Sequence, residues 1–195
     1  MSVLTVRSLP EPEVSMREIL RYARSAADDT ETVRLAHDCL GEALPALSYR
    51  AVYTAEDVTV TGDECDIGGI VIRSAALAKN LSGVSRAVLV CATVGLGIDR
   101  LVLKYSRSRP ARALIMQAIG AERVEAVLDA LTEELEKEYG GLRPRFSVGY
   151  GDAPLSAQRE ITERLETAKR IGVSLSESMI MTPTKSVSAI IGINK

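Results

Sequence analysis

The sequence has no tryptophan, one phenylalanine, one histidine and only three cysteines. Each shortage excludes a kind of chemistry. Without tryptophan and with a single phenylalanine, the chain lacks the aromatic platforms on which single-stranded nucleic acid stacks its bases. Cys39, Cys65 and Cys91 stand 26 residues apart, far from the close spacing of zinc or iron–sulfur ligands, so buried free thiols and no metal are expected. His37 falls between Val33 and Leu40 on an apolar helical face, which predicts a packed or half-buried side chain rather than a catalytic base. Long apolar runs are missing too: none approaches the roughly 20 residues of a membrane span. The opening MSVLTVRSLPEPE has neither a long apolar core nor a small-residue cleavage site, so a cytoplasmic chain is expected. Charge of one sign is also lacking. With 24 basic and 26 acidic residues the net charge is −2, which supplies no broad attraction to nucleic acid or to an anionic membrane.

What is present suits a folded α+β domain. The chain has 195 residues, 46% hydrophobic and 26% charged, which is near the globular average and allows a sizeable core. A single domain over residues 1–195 is expected, with a helical N-terminal lobe at about 1–48. Ser15-Met16-Arg17-Glu18 is a capping-box pattern before Met16, Ile19, Leu20 and Ala23 at helical spacing. A second helix is predicted from about Thr30 to Leu44, stopped by Pro45. The period then changes. Tyr49, Ala51 and Tyr53 alternate, as do Val58 and Val60, predicting two strands, with a third at Ile70–Ile72. A short helix from Ser74 to Leu81 leads to Ala87–Cys91, an apolar run of the length of a buried strand.

Thr93-Val94-Gly95-Leu96-Gly97 superficially resembles a dinucleotide-binding turn. Arg100 stands where its third glycine belongs, and no acid follows at the ribose-binding distance, so a tight strand-to-helix turn is expected. Arg100, Lys104, Arg107, Arg109 and Arg112 put five bases within thirteen residues, read as a solvated helix and loop, with an acidic partner's docking site as the alternative. From Pro110 to Tyr139 the pattern is helical, and Gly120 marks a packing point or a break. Glu122, Glu125, Asp129, Glu133 and Glu136 read as a solvated stripe. Gly140-Gly141 ends that helix, and Leu142–Val148 reads as extended. A further helix is predicted from Ser156 to Ile171, with Gly172 as its stop. The tail reads as a hairpin, Ser178–Met181 and Val187–Ile191, around the loop Thr182–Ser186.

Two C-terminal segments resemble one family. Arg145-Phe146-Ser147-Val148-Gly149-Tyr150 matches the RxxxGY motif of the activation domain of cobalamin-dependent methionine synthase, and Leu175–Ser188 resembles that family's LTESxxMxPxxSVSG segment. The order and separation of the two also match, over roughly the last 55 residues. The resemblance implies an α+β fold with an antiparallel or mixed sheet flanked by helices. It also implies an activation subunit that supports reductive methylation of cob(II)alamin on a methionine synthase lacking its own activation domain. S-adenosylmethionine would give the methyl group, a flavodoxin or ferredoxin-like protein the electron, and the partner would carry the cobalamin. Arg145, Ser147, Gly149, Tyr150 and, by looser alignment, Glu125 are the implied S-adenosylmethionine residues. Tyr150, Ser156, Thr184, Lys185 and Ser186 are the implied corrin or partner contacts.

The chain departs from the family pattern in places. Tyr150-Gly151-Asp152-Ala153-Pro154-Leu155-Ser156 replaces a proline-rich YPxxPxH, with Ser156 at the histidine position. Ala189 stands where the family has glycine, and the sequence stops at Lys195, before the family's downstream tyrosine segment. A module that docks on a cobalamin-binding domain without using S-adenosylmethionine is the alternative.

Overall fold

The computed structural model describes residues 3–26 and 28–194, so Met1 and Ser2 of the opening segment lie outside the described residues. Side-chain caps set where the first helices start. Ser15 Oγ accepts from Glu18 N–H at 3.4 Å to open α1 (Met16–Ala23), and Asp29 accepts from Thr32 N–H at 3.0 Å to open α2 (Thr30–Ala43). The reciprocal half of the capping box is absent, because Glu18 turns to Arg21 and Ser15 N–H donates to Glu122 at 2.9 Å. Before α1 runs β1 (Thr5–Ser8); after α2 come β2 (Arg50–Thr61), β3 (Glu64–Ile67) and β4 (Ile70–Arg73). Next are α3 (Ala75–Asn80), β5 (Arg86–Thr93), α4 (Gly97–Tyr105) and α5 (Pro110–Tyr139). The chain closes with α6 (Ala157–Arg164), α7 (Thr167–Ile171), β6 (Ser174–Leu175), β7 (Met181–Thr182) and β8 (Ser186–Ile193).

Six strands form an antiparallel sheet in the order β4-β3-β2-β5-β8, with β1 on the free edge of the first half of β2. Residues alternate across β5 and β8. Val88, Val90, Ala189 and Ile191 face a layer of α1, α2, α4 and α5, while Leu89, Cys91 and Ile190 face α3, α6 and α7. With both faces covered, β5 is buried from Ala87 onward, as its unbroken apolar run predicts. Cys39, Cys65 and Cys91 are buried free thiols, and burial pushes the Cys91 thiol up to about 12.

Several local expectations are corrected. The two strands predicted at Tyr49–Tyr53 and Val58–Val60 are one, β2, because Thr54 and Glu56 between them are polar yet buried and interrupt the apolar period. Glu56 is tolerated there through Arg164, whose Nη1 lies 2.9 Å from its Oε1. The helix predicted from Ser156 to Ile171 breaks into α6 and α7 at Glu166, which sits at φ +48°. The predicted hairpin of Ser178–Met181 with Val187–Ile191 does not form. Ser176 N–H donates to Ile180 O at 2.9 Å, making residues 176–180 a turn; β7 pairs with β6, and β8 pairs with β5. The strongly apolar β8 is more stable inside the main sheet, where both its faces are covered, than in a two-stranded hairpin that leaves one face open. His37 is exposed, since the buried stripe of α2 runs through Ala36, Cys39, Leu40 and Ala43 and passes it by.

The Gly95–Gly97 segment is a packing turn. A methyl group at Gly97 would come within 1.8 Å of Ala46 O, so only glycine lets α4 begin against the 3-10 turn Leu44–Ala46 that follows α2. The basic cluster is partly committed as well. Lys104 Nζ (2.8 Å), Tyr105 Oη (2.8 Å) and Arg112 Nη2 (3.0 Å) all donate to the Glu42 carboxylate, tying α2 to α4 and α5. These bonds, that from Lys104 foremost, hold the Glu42 carboxyl down at about 2.

Because the folded-state value lies below the ordinary 4.5, the contribution of Glu42 is fully present above that pH and is lost as pH falls toward about 2. The cluster is partly solvated, so Glu42→Gln should cost about 1 kcal/mol at neutral pH. In urea unfolding at pH 7 and at pH 2, the gap between wild type and variant should shrink toward zero at the lower pH.

Candidate functional site

The segment after α5 runs along the outer edge of β8. Arg143 N–H donates to Gly192 O (2.8 Å), Phe146 N–H to Ile190 O (2.9 Å) and Ile190 N–H to Phe146 O (2.8 Å). This fixes the alternation of side chains. Phe146 and Val148 enter the apolar layer beneath α6, and Arg145 turns the other way, toward α5. Its Nη1 lies 2.7 Å from Asp129 Oδ1, and its Nη2 lies 3.5 Å from Glu125 Oε2. The contact with Asp129 is an ion contact without hydrogen-bond alignment, and that with Glu125 is long, so most of the guanidinium's donors are unspent. Glu125 and Asp129, one helical turn apart, line a groove of about 500 Å³ between α1 and α5, together with Glu18, Tyr22 and Glu133.

Ser147 lies on the same segment, with its hydroxyl donating to Ser188 O at 2.8 Å. It lines a second, smaller cleft of about 260 Å³ with Thr184, Ser186, Gln158, Leu155 and Ile180. The loop before β8 is held from below. Thr184 donates through N–H (2.8 Å) and hydroxyl to the Asp99 carboxylate of α4, and the Ser186 hydroxyl donates to Thr93 Oγ1 at 2.9 Å. Lys185 does not join the cleft. Its stem lies over Gly120, where a methyl group would sit 2.8 Å from Lys185 Cγ and 3.0 Å from Ile98 Cγ1. Gly120 is therefore a packing point and α5 continues unbroken through it. Burial pushes the pKa of Lys185 down, with Asp99 acting against it.

Gly149, at φ +86°, turns the chain so that Tyr150 projects into solvent, 73% exposed. The tyrosine ring meets Phe146 edge-to-face with centroids 6.2 Å apart. Ser156 stands exposed at the start of α6. The expected residues thus fall into a guanidinium–carboxylate group (Arg145, Glu125), a hydroxyl cleft (Ser147, Thr184, Ser186) and a protruding aromatic turn (Gly149, Tyr150). A further depression of about 430 Å³, lined by α6, α7 and β6, contains none of them. Among the described residues no group of three or more His, Cys, Asp or Glu is arranged to hold a metal.

Within the acidic stripe Asp129 stays exposed, as expected, while Glu122 does not. Asp129 contacts Arg145, which the i to i+4 spacing from Glu125 could have signalled. Glu122 is buried against Arg123, itself 0% exposed, whose Nη1 and Nη2 also donate to Pro12 O (2.7 Å) and Glu13 O (2.6 Å). Adjacent opposite charges in an amphipathic helix give no local sign of burial. The pair clamps the N-terminal segment to α5 and so forms one wall of the acidic groove.

The arrangement defines an α+β domain of antiparallel sheet whose polar groups gather along one outer strand edge and the helix beside it. The chain belongs to the family of vitamin B12 dependent methionine synthase activation domains, whose family model matches residues 77–195. It is also similar in fold to a solved structure of the MetH reactivation domain bound to AdoHcy, with a TM-score of 0.69 and 18% identity over 98% of this chain and 78% of that one. A search of the curated proteins finds no match. Among the described residues no helix is long and apolar enough to cross a membrane.

Arg123→Met should strand the Glu122 carboxylate in the interior and destabilise the fold by about 3–5 kcal/mol. Adding Glu122→Leu should recover most of that loss. Urea midpoints of the two variants and wild type check both statements.

Proposed function

We propose that this chain acts as a stand-alone activation subunit supporting reductive methylation of cob(II)alamin on a cobalamin-dependent methionine synthase that lacks its own activation domain. S-adenosylmethionine is the methyl donor, the partner carries the cobalamin, and a flavodoxin or ferredoxin-like protein supplies the electron. Membership of the activation-domain family supports the reaction class. The observation that carries the ligand is Arg145, a guanidinium with unspent donors beside Glu125 and Asp129. A planar cation can take a carboxylate on two parallel bonds, and the adjacent acids can accept from an ammonium. That donor set fits the zwitterionic end of a methionyl group.

The work of this chain is placement. Arg145 and Glu125 bind the amino-acid end, the backbone at Gly149 and the Ser147 hydroxyl bound the site, and Tyr150 offers a flat face toward a corrin edge. Ser156, Thr184 and Ser186 supply hydroxyls to that meeting surface, and the charge of Lys185 lies behind them. Holding donor and acceptor in line removes most of the entropic cost of their encounter. One observation favours the second reading, a module that docks on a cobalamin domain without S-adenosylmethionine: Arg145 already has two carboxylates beside it, which a ligand must displace.

Calorimetry separates the two. The first reading expects weak, specific S-adenosylmethionine binding that Arg145→Ala reduces by roughly 10- to 100-fold. No heat from the wild type at millimolar ligand, with a cobalamin-loaded methionine synthase fragment present, removes the donor role and leaves the docking module.

A further inference from the structure

The turn that carries Tyr150 has little stiffness of its own. Gly149 and Gly151 both lie at positive φ, +86° and +62°, and flank the tyrosine with the two most permissive positions a chain can have. Three backbone bonds close the turn: Tyr150 N–H to Ser147 O (3.2 Å), Ala153 N–H to Tyr150 O (3.2 Å) and Gly149 N–H to Ala153 O (3.0 Å). Beyond the edge contact of Tyr150 with Phe146 and the buried Ala153, its polar tie to the body of the protein is Asp152. The Asp152 carboxylate accepts from the Ser74 hydroxyl, from Ala75 N–H at 2.7 Å and from Ala76 N–H at 3.2 Å, joining segments 78 residues apart. Gly151 rests on α3, where a methyl group would stand 3.3 Å from Ala76 Cβ. Ser74 itself accepts from Leu77 N–H at 3.0 Å, so α3 keeps a cap of its own.

We infer that Asp152 is a positioning residue: by anchoring the glycine-flanked turn to α3 it holds the exposed Tyr150 ring in one orientation, ready to meet a flat partner surface. The inference rests on the role given to Tyr150 above. An aromatic ordered before contact loses less freedom on docking, so the anchor raises affinity without touching the partner. The charge-assisted bonds replace the rigidity that the Gly-Tyr-Gly sequence gives up.

The test uses the full chain labelled with 3-fluorotyrosine, with the Tyr150 resonance assigned by Tyr150→Phe. Asp152→Ala should narrow the Tyr150 resonance at least about twofold and leave the other five tyrosines unchanged. It should also weaken binding to a cobalamin-loaded methionine synthase fragment about tenfold. Ser74→Ala, which removes one of the three donors, should narrow the same resonance less, and it decides the matter if Asp152→Ala fails to fold. An unchanged Tyr150 resonance in the folded variant, with only a lower Tm, overturns the inference and leaves Asp152 as a helix cap. Equal wild-type affinity for cobalamin-loaded and cobalamin-free fragments defeats the role given to Tyr150 instead, and the fluorine result still decides the anchor.

Discussion

The pairing of β8 with β5 is the constraint on which the rest of the molecule depends. Val187 to Ile193 is too apolar to lie at a surface, and both faces of the strand are covered, by the long helix layer on one side and by the α3, α6 and α7 layer on the other. A strand in that position must bond its backbone on both edges, since unpaired amides and carbonyls in an apolar interior are costly. β5 takes one edge, in a register running from Thr93 opposite Ser186 to Arg86 opposite Ile193. The second edge is met by isolated bridges from Leu142 and Phe146. Those bridges decide that Arg145 faces α5 and that Ser147 meets the cleft beside Thr184 and Ser186.

Three guanidinium–carboxylate groups show how burial sorts similar chemistry into different roles. Arg123 and Glu122 are enclosed and bonded to the N-terminal segment and to each other, so they act as a clamp. A half-buried Arg164 meets the buried Glu56 and joins α6 to β2 where a polar residue interrupts the strand's apolar face. Arg145 with Glu125 and Asp129 is the most open of the three, with side-chain exposures of 27%, 43% and 63%. An open pair contributes little to stability, and this one can exchange partners at small cost. That difference makes Arg123 a structural group and leaves Arg145 able to change partners, as the proposed ligand role requires.

Much of the fold was legible in the spacing of apolar residues. α1, α2, α5 and β5 follow from periodicity, caps and an unbroken apolar run, because each has one consistent pattern of burial along its length. The errors fall where a polar residue is buried for a distant reason or where pairing partners lie far apart. Thr54 and Glu56 mask the continuity of β2, Glu122 carries no local sign of burial, and nothing local shows that β5 has a free edge for β8.

The candidate site divides in the same way. The sequence alone determined the short motif, Arg145 to Tyr150, and the turn geometry that Gly149 imposes, since residues within six positions are neighbours whatever the tertiary fold. Only the tertiary structure brought Asp129 to Arg145, placed Thr184 on Asp99 and turned the Lys185 stem onto Gly120. It alone anchored Asp152 on Ser74. Local spacing records which side of an element is apolar, and long-range contacts depend on which edges and faces meet when the layers close.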